Sequence, residues 1–328
     1  MKPGDLLLTL LANVAWSLNF LVGKAGVEHF PPLMFSTLRF TVLILLLWPW
    51  LRWLPGKMRP VLEISFLLGV FHFSMIFIGL DVSGDISSVA IAAQLYVPFS
   101  ALLAVAWLGE RLDRWRIGGI TAAFAGVMII GFDPTVIAHL DALAWIAGAS
   151  LVMAIATILM RRLSSVSVFT LQAWIGAVAA PNLLLLSLLL EQGQVEALRT
   201  ANWLDFAMPV YSAVGASLVG HGIVYYLLTR YPVSLITPLL LLAPVLAVLL
   251  GVMVWGDQPT WKLLLGGLMT LAGVAVITLR APESSPGETG NPSILPADQL
   301  LDQRLEDQFH GKTHLAARDY NGIATRHE

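Results

Sequence analysis

The sequence predicts an all-α membrane protein: ten transmembrane helices arranged as two inverted five-helix repeats. Three observations predict it. The composition is too apolar for a soluble chain, ten apolar runs have membrane-crossing length, and one segment occurs twice with opposite loop charge. Of 328 residues, 57% are hydrophobic and 12% charged, about half the ~25% charged share of an ordinary soluble domain. The mean hydropathy is +0.77. Each run of about 18–23 mainly apolar residues is long enough to cross the ~30 Å hydrocarbon core as a helix. Backbone groups there must bond internally, which leaves helices or closed barrels. Continuous apolarity without alternation excludes barrel strands.

The runs are 6–23, 33–51, 63–80, 88–108, 115–132, 143–160, 169–190, 206–228, 233–255 and 262–280. The first follows Met1 and Lys2 and imitates a signal peptide, but nine more runs follow, so it reads as the first spanning helix. The second closes on Trp48, Trp50 and Trp53, and the third holds His72 near its middle. Pro98 bends the fourth, and Trp107 and Trp115 mark the turn to the fifth, which carries Gly118, Ala122 and Gly126. The sixth holds Trp145 and the seventh Gln172-Ala173-Trp174. The eighth starts near Trp203 and holds His221, and Pro238 and Pro244 interrupt the ninth. Trp255 and Trp261 flank the turn to the tenth, which has Gly266, Gly267 and Gly273. The tryptophans near span ends read as interface anchors.

Loop charge sets the orientation. With the N-terminus inside, the inner loops hold Lys2, Arg52, Lys57, Arg59, Arg111, Arg114, Arg116, Arg161, Arg162, Arg230 and Arg280, against Lys24, Arg199 and Lys262 outside. That bias places both termini in the cytoplasm of a multi-pass cell (inner) membrane protein. The repeat agrees. PFSALLAVAWLGERLDRWRIGG (Pro98–Gly119) has a counterpart in PVLAVLLGVMVWGDQPTWKLLLGG (Pro244–Gly267). Gly109-Glu110, Gly119 and Gly126 match Gly256-Asp257, Gly266 and Gly273 at an offset of 147, and Pro98 matches Pro244 at 146. Five spans separate the copies, so the second is inverted. Its turn faces outward and has lost the arginines. Inverted repeats of this kind mark secondary transporters, with sites at the repeat interface near the midplane. The repeats are 1–132 and 143–280, followed by an acidic, mostly disordered cytoplasmic tail at 281–328. Residues 282–328 hold four Lys/Arg and eight Asp/Glu, a net of −4, the wrong sign for docking on an anionic leaflet. Leu301, Leu305 and Phe309 in that tail are spaced as on one face of a short amphipathic helix.

On these residues the chain resembles the EamA-domain transporters of the drug/metabolite transporter superfamily. The resemblance lies in AWSLNFLVGK (Ala15–Lys24), FSTLRF (Phe35–Phe40), PFSALLAVAWLGERL, and SLVGHGIVYYLLTRYPVSLITPLLLLAPVLAVLLG (Ser217–Gly251). The last stretch is similar to the amino-acid and metabolite exporter branch. Two departures stand out: Gly256-Asp257 replaces a second Gly-Glu, and Gln172-Ala173-Trp174 stands where a repeat of FSTLRF would place an arginine. The resemblance implies an inner-membrane exporter with a central cavity between the repeats.

Polar groups inside a membrane are costly and are therefore functional candidates. The candidate substrate-binding residues are Trp16, Asn19, Arg39, His72, Gln94, Tyr96, Trp145 and His221. Arg39, about 9 Å deep at ~1.5 Å per residue, either meets a substrate carboxylate, or snorkels to water or holds neighbouring carbonyls structurally. His72 and His221 either face one cavity as near-equivalents across the repeat or are isolated core histidines. Gln94 and Tyr96 precede the Pro98 bend, where a carbonyl is freed. Trp16, Asn19 and Trp145 offer stacking and amide contacts, or serve as interhelical glue. Tyr225 and Tyr226 read as belt residues. The small-residue stripe of the fifth span either packs within the monomer or joins a homodimer.

The absences narrow the function. There is no cysteine, hence no disulfide or thiolate chemistry. No motif for nucleotide binding, zinc hydrolysis or a nucleophile elbow occurs, so neither an enzyme nor a cofactor is expected. No basic tract interleaved with aromatics supports nucleic-acid binding. The span interiors lack the carboxylate on which protons and cationic drugs compete. The expected function is secondary export of small metabolites, amino acids or their derivatives, by alternating access. The expected partners are a small-molecule substrate and the lipid bilayer. A multidrug exporter, or a non-transporting module such as a lipid scramblase, is the alternative.

Overall fold

The computed structural model describes residues 1–280 except 110–111, 161–162, 164–165, 229 and 232. The expected acidic tail, and Glu110, Arg111, Arg161 and Arg162 of the loop-charge pattern, lie outside the described residues. Among the described residues all regular structure is helical. α1 is Pro3–His29 and α2 Pro32–Leu47. α3 is Met58–Val82 and α4 is Ile86–Trp107, followed by α5, Arg114–Gly131. α6 is Leu140–Met160, α7 Val168–Leu190 and α8 Trp203–Leu228. α9 comes in two pieces, Val233–Leu240 and Leu242–Trp255, and α10 is Trp261–Leu279. Eight of these are long and apolar enough to cross a membrane. α5 misses that description because Arg114 and Arg116 occupy its first turn, and α9 because it is broken.

The helix ends follow from local chemistry. Pro3 and Pro32 open α1 and α2, where a missing N–H costs nothing. Asp85, Asp113, Ser167, Asn202 and Thr260 cap the starts of α4, α5, α7, α8 and α10 with side-chain oxygens. Burial pushes the Asp85 carboxyl above the usual carboxylate range, although it accepts the Ser88 N–H at 2.5 Å. Gly109 and Gly256, matched at an offset of 147 in the sequence, close α4 and α9 with φ of 67° and 84°. Both take the left-handed conformation that glycine adopts without a Cβ penalty. A paired sequence feature is thus also a paired backbone feature.

Three elements depart from the sequence expectation or sharpen it. α1 runs to His29 instead of stopping before Lys24. Lys24 stays helical because its ammonium, buried at 6% exposure, donates to the carbonyls of Leu80, Asp81 and Ser83 at 2.8, 3.2 and 2.8 Å. It caps the last turn of α3 and has no need of water. Second, α9 breaks at Leu241, where Pro244 supplies no N–H to the preceding turn and its ring obstructs the carbonyl four residues back. Third, α3, α8 and the end of α9 contain wide, π-type turns, Phe66–His72, Ser212–Gly220 and Gly251–Trp255. Such turns are rare and concentrate at functional sites.

Packing pairs the helices selectively. α5 lies on α10 and α2 on α7, while α1 contacts α8 and α9, and α6 contacts α3 and α4. The α5–α10 seam depends on glycine. A Cβ on Gly119 would sit 2.8 Å from the Gly273 carbonyl, and one on Gly126 would collide with the Gly266 carbonyl and Thr270. Gly266 and Gly273 return the same contacts on the carbonyls of Gly126 and Gly119. The sums of the paired numbers are constant, so the two helices run antiparallel. Gly126 of the small-residue stripe is therefore used inside the monomer, whereas a Cβ on Gly118 would meet open space.

Polar bonds tie the turns at one end of the bundle together. The Asp257 carboxylate, after α9, accepts from Ile86 N at 3.0 Å, Ser87 N at 2.8 Å and Ser87 Oγ at 2.5 Å, at the start of α4. Gly251 leaves room for it, because a Cβ there would overlap Asp257 Oδ2. Thr260 donates to Asp133, and Glu191 accepts from Leu33 N and Met34 N at 2.7 and 3.1 Å. Charge-assisted bonds of this kind contribute ~1.5–3 kcal/mol each. Asp257→Asn keeps the shape, loses the charge, and turns an N–H donor toward donors. We expect its melting temperature in detergent to fall by several degrees, and an unchanged melt would remove Asp257 from this role.

Candidate functional site

A cation is enclosed by aromatic rings inside the bundle. Arg39, in the middle of α2, is 1% exposed, so it lies within the bundle and does not snorkel to water. Aromatic rings carried by α2 and α3 enclose it. The guanidinium carbon stands 3.9 Å from the Phe73 ring centroid, 5.1 Å from Phe40 and 5.7 Å from Phe77. These distances favour attraction between the cation and the ring faces. One nitrogen donates to Ser217 Oγ of α8 at 2.8 Å, while Nε and the other terminal nitrogen are buried without a hydrogen-bond partner. Neither ion pair found among the described residues involves Arg39. A buried cation lacking a counter-charge is costly unless something else completes it.

The wide turns of α3 and α8 lead to residues that touch this cation: His72 adjoins Phe73, whose ring covers Arg39, and His221 lies one turn beyond Ser217. His72 closes the Phe66–His72 turn, and His221 directly follows Ser212–Gly220. Their bonds differ. His72 Nδ1 pairs with the Ala149 carbonyl of α6 at 2.9 Å, whereas His221 Nδ1 pairs with the Ala216 carbonyl of its own helix at 3.0 Å. Trp16 of α1 lies edge-on to His221 with ring centroids 5.3 Å apart, and its Nε1 donates to the same Ala216 carbonyl at 3.2 Å. Gly220 is the sequence feature that permits this, since a Cβ there would overlap Trp16 Nε1.

Of the eight sequence candidates, four thus share one neighbourhood: Trp16, Arg39, His72 and His221. Asn19, one turn beyond Trp16, is half-buried and its Oδ1 is buried without a partner. Gln94 and Tyr96 are half-buried at the break in α4, where Ala93–Leu95 tightens to a 3-10 turn. Trp145 is 38% exposed, with its Cβ side toward Gly79. Two residues escaped sequence reasoning. Ser217 anchors Arg39, and Asn13, fully buried on α1, donates to Thr9 O at 2.8 Å and to Leu239 O of α9 at 3.1 Å. Spacing alone does not separate a polar side chain of this kind from ordinary interhelical glue. An open surface groove of about 360 Å³ between α1 and α9, lined by Pro3, Leu6, Leu10, Asn13, Leu239 and Leu242, ends one turn from Trp16.

Apolar helices of crossing length around a buried, unpaired cation define a multi-pass α-helical membrane protein. Comparison with known proteins takes this further. The chain belongs to the EamA-like transporter family, whose pattern matches residues 3–132 and 141–279, and with it to the drug/metabolite transporter superfamily. It is 29% identical over 299 residues to a probable amino-acid metabolite efflux pump of Salmonella typhimurium, covering 84% of this chain and 95% of that one. It is 28% identical over 292 residues to the protein of the same description in Escherichia coli, with the same coverage. A crystal structure 20% identical in sequence superposes with a TM-score of 0.58 over 85% of this chain and 98% of its own, a likeness of fold.

Proposed function

We propose that this protein is a secondary transporter that exports small metabolites, amino acids or their derivatives, by alternating access across the inner membrane. The observation that carries the reading is the Arg39 guanidinium, buried within the bundle with two nitrogens unpartnered. A substrate carboxylate is planar and bidentate and matches those free donors. A cationic drug has the wrong charge for the position, which disfavours a multidrug exporter. Trp16, Asn19, His72, His221, Gln94, Tyr96 and Trp145 are assigned to the substrate path, with Ser217 as the residue that orients Arg39. The names of the two bacterial relatives point to the same cargo class.

The architecture we propose is ten spanning helices in two inverted repeats, with both termini cytoplasmic. Supporting it are the left-handed glycines at 109 and 256, the wide turns preceding His72 and His221, and helix pairings that survive exchange of the two halves. Under that exchange α5–α10 and α2–α7 map onto themselves, and α1–α9 maps onto α6–α4. The lysine and arginine bias of the loops supports the orientation. The test is efflux from proteoliposomes loaded with a panel of labelled amino acids, with labelled cationic dyes as the competing class. Amino-acid efflux above protein-free vesicles is expected. Efflux confined to the dyes would overturn the reading.

A further inference from the structure

The tightened turn of α4 and the break in α9 lie at matching places, and each is contacted by a side chain from the opposite half. In α4 the Ala93–Leu95 turn precedes Pro98, and in α9 the break at Leu241 precedes Pro244. Ser150 of α6, 1% exposed, reaches the carbonyls of Ala93 at 3.2 Å and Ala92 at 3.5 Å. Asn13 of α1, fully buried, reaches the Leu239 carbonyl at 3.1 Å. Ala93 and Leu239 are 146 residues apart, as are Pro98 and Pro244. Asn13 and Ser150 are 137 apart, the spacing between the first residues of α1 and α6. The two contacts are therefore one contact made twice. Pro98 and Pro244 deprive the carbonyls of Gln94 and Leu240, four residues back, of a helical N–H. The clasped carbonyls of Ala93 and Leu239 stand one residue earlier, beside those irregular turns, and the Ala93 carbonyl also accepts the Tyr96 N–H.

The two clasps are not equal. The Asn13 amide is fixed by a second bond to Thr9 O and grips one carbonyl, whereas the Ser150 hydroxyl is shared between two at longer range. The histidines show the same inequality. His72 bonds across the halves to Ala149, the neighbour of Ser150, while His221 bonds within its own helix. Ala12, the counterpart of Ala149 on α1, lies beside Asn13.

We propose that Asn13 and Ser150 are positioning residues that set the balance between the two states of the transporter, each clasp tightest in one state. This rests on the alternating-access reading given above. Exchange of the halves converts one state into the other, so the state in which the Asn13 clasp is tight has as its partner the state in which the Ser150 clasp is tight. Weakening either one releases the chain toward the other state. Loss of packing alone has no such direction.

The test exploits the absence of cysteine from the chain. Asn19→Cys, a half-buried reporter on α1, is labelled with a membrane-impermeant maleimide from each face of right-side-out and inside-out vesicles. The ratio of the two labelling rates reads the balance without any substrate. Asn13→Ala and Ser150→Ala are expected to move that ratio in opposite directions, each by about three-fold, the size of a typical side-chain hydrogen bond inside a membrane. The double variant returns toward the parent, and Ser150→Thr, which keeps the hydroxyl, stays at the parent ratio. Shifts in the same direction, or no shift, overturn the proposal. A reporter labelled from one face only in every variant overturns alternating access and the clasps with it. Absent amino-acid efflux with opposed labelling shifts overturns the cargo assignment and leaves the clasps standing.

Discussion

Replacing Arg39 by methionine is expected to abolish export and at the same time raise the melting temperature of the substrate-free protein. The two effects share a cause. A guanidinium held at 1% exposure with two unpartnered nitrogens is paid for by packing around it, and a hydrophobic side chain of similar length removes that cost. Exchange of buried charged groups for well-packed apolar ones is often neutral or stabilising by ~1–4 kcal/mol. Methionine also suits an irregular space beside Phe40, Phe73 and Phe77. Under the proposed function the same substitution removes the cation that a substrate carboxylate would meet, and loss of one partner of a buried charged pair costs ~3–5 kcal/mol. That predicts a fall in export rate of about 10²-fold or more. Arg39→Lys keeps the charge but loses the planar fork, and should fall between the two. Efflux at parent level together with a lowered melting temperature would make Arg39 a structural residue.

The second large effect is on stability. Gly126→Val is expected to lower the melting temperature by ten degrees or more, or to prevent recovery of the protein altogether. A Cβ at that position overlaps Thr270 Oγ1 and the Gly266 carbonyl, and backbone cannot give way as a flexible side chain does. Overpacking in a dense interior costs ~1–3 kcal/mol when neighbours can shift, and more where the neighbour is main chain. Gly118→Val supplies the control, because nothing lies within 4 Å of its Cβ position. It belongs to the same sequence stripe and should melt like the parent. Equal damage at both positions would mean that the glycines matter for helix geometry and not for the α5–α10 seam.

The apolar runs were legible because crossing a bilayer imposes a length, and the glycines at 109 and 256 were legible as a pair because each closes a helix in the left-handed conformation. Arg39 stood out in the sequence by the cost of its charge, but its full burial could not be read there. Whether an arginine near a span end snorkels depends on what packs over it, here Phe73 from another helix. Lys24 misled for a related reason. A lysine after eighteen apolar residues looks like the end of a span, and only the carbonyls of Leu80, Asp81 and Ser83 explain why the helix continues. The histidines were visible as a pair, but their unequal bonds were not, since both partners are backbone carbonyls and leave no trace in side-chain identity. Asn13 and Ser150 were hidden for another reason. They bond carbonyls beside the irregular turns of α4 and α9, more than fifty residues away in one case and more than two hundred in the other.

The α5–α10 seam has a further consequence. Gly119 and Gly126 meet Gly273 and Gly266, and each contact is returned by its twin. Under the inverted arrangement proposed above, a junction of this kind maps onto itself when the halves trade places. Whatever rearrangement carries cargo from one face to the other, this junction begins and ends it in the same shape. It acts as a fulcrum, blind to direction. Substitutions there should change how much folded protein exists and leave untouched which way it faces, whereas substitutions at Asn13 or Ser150 should do the reverse.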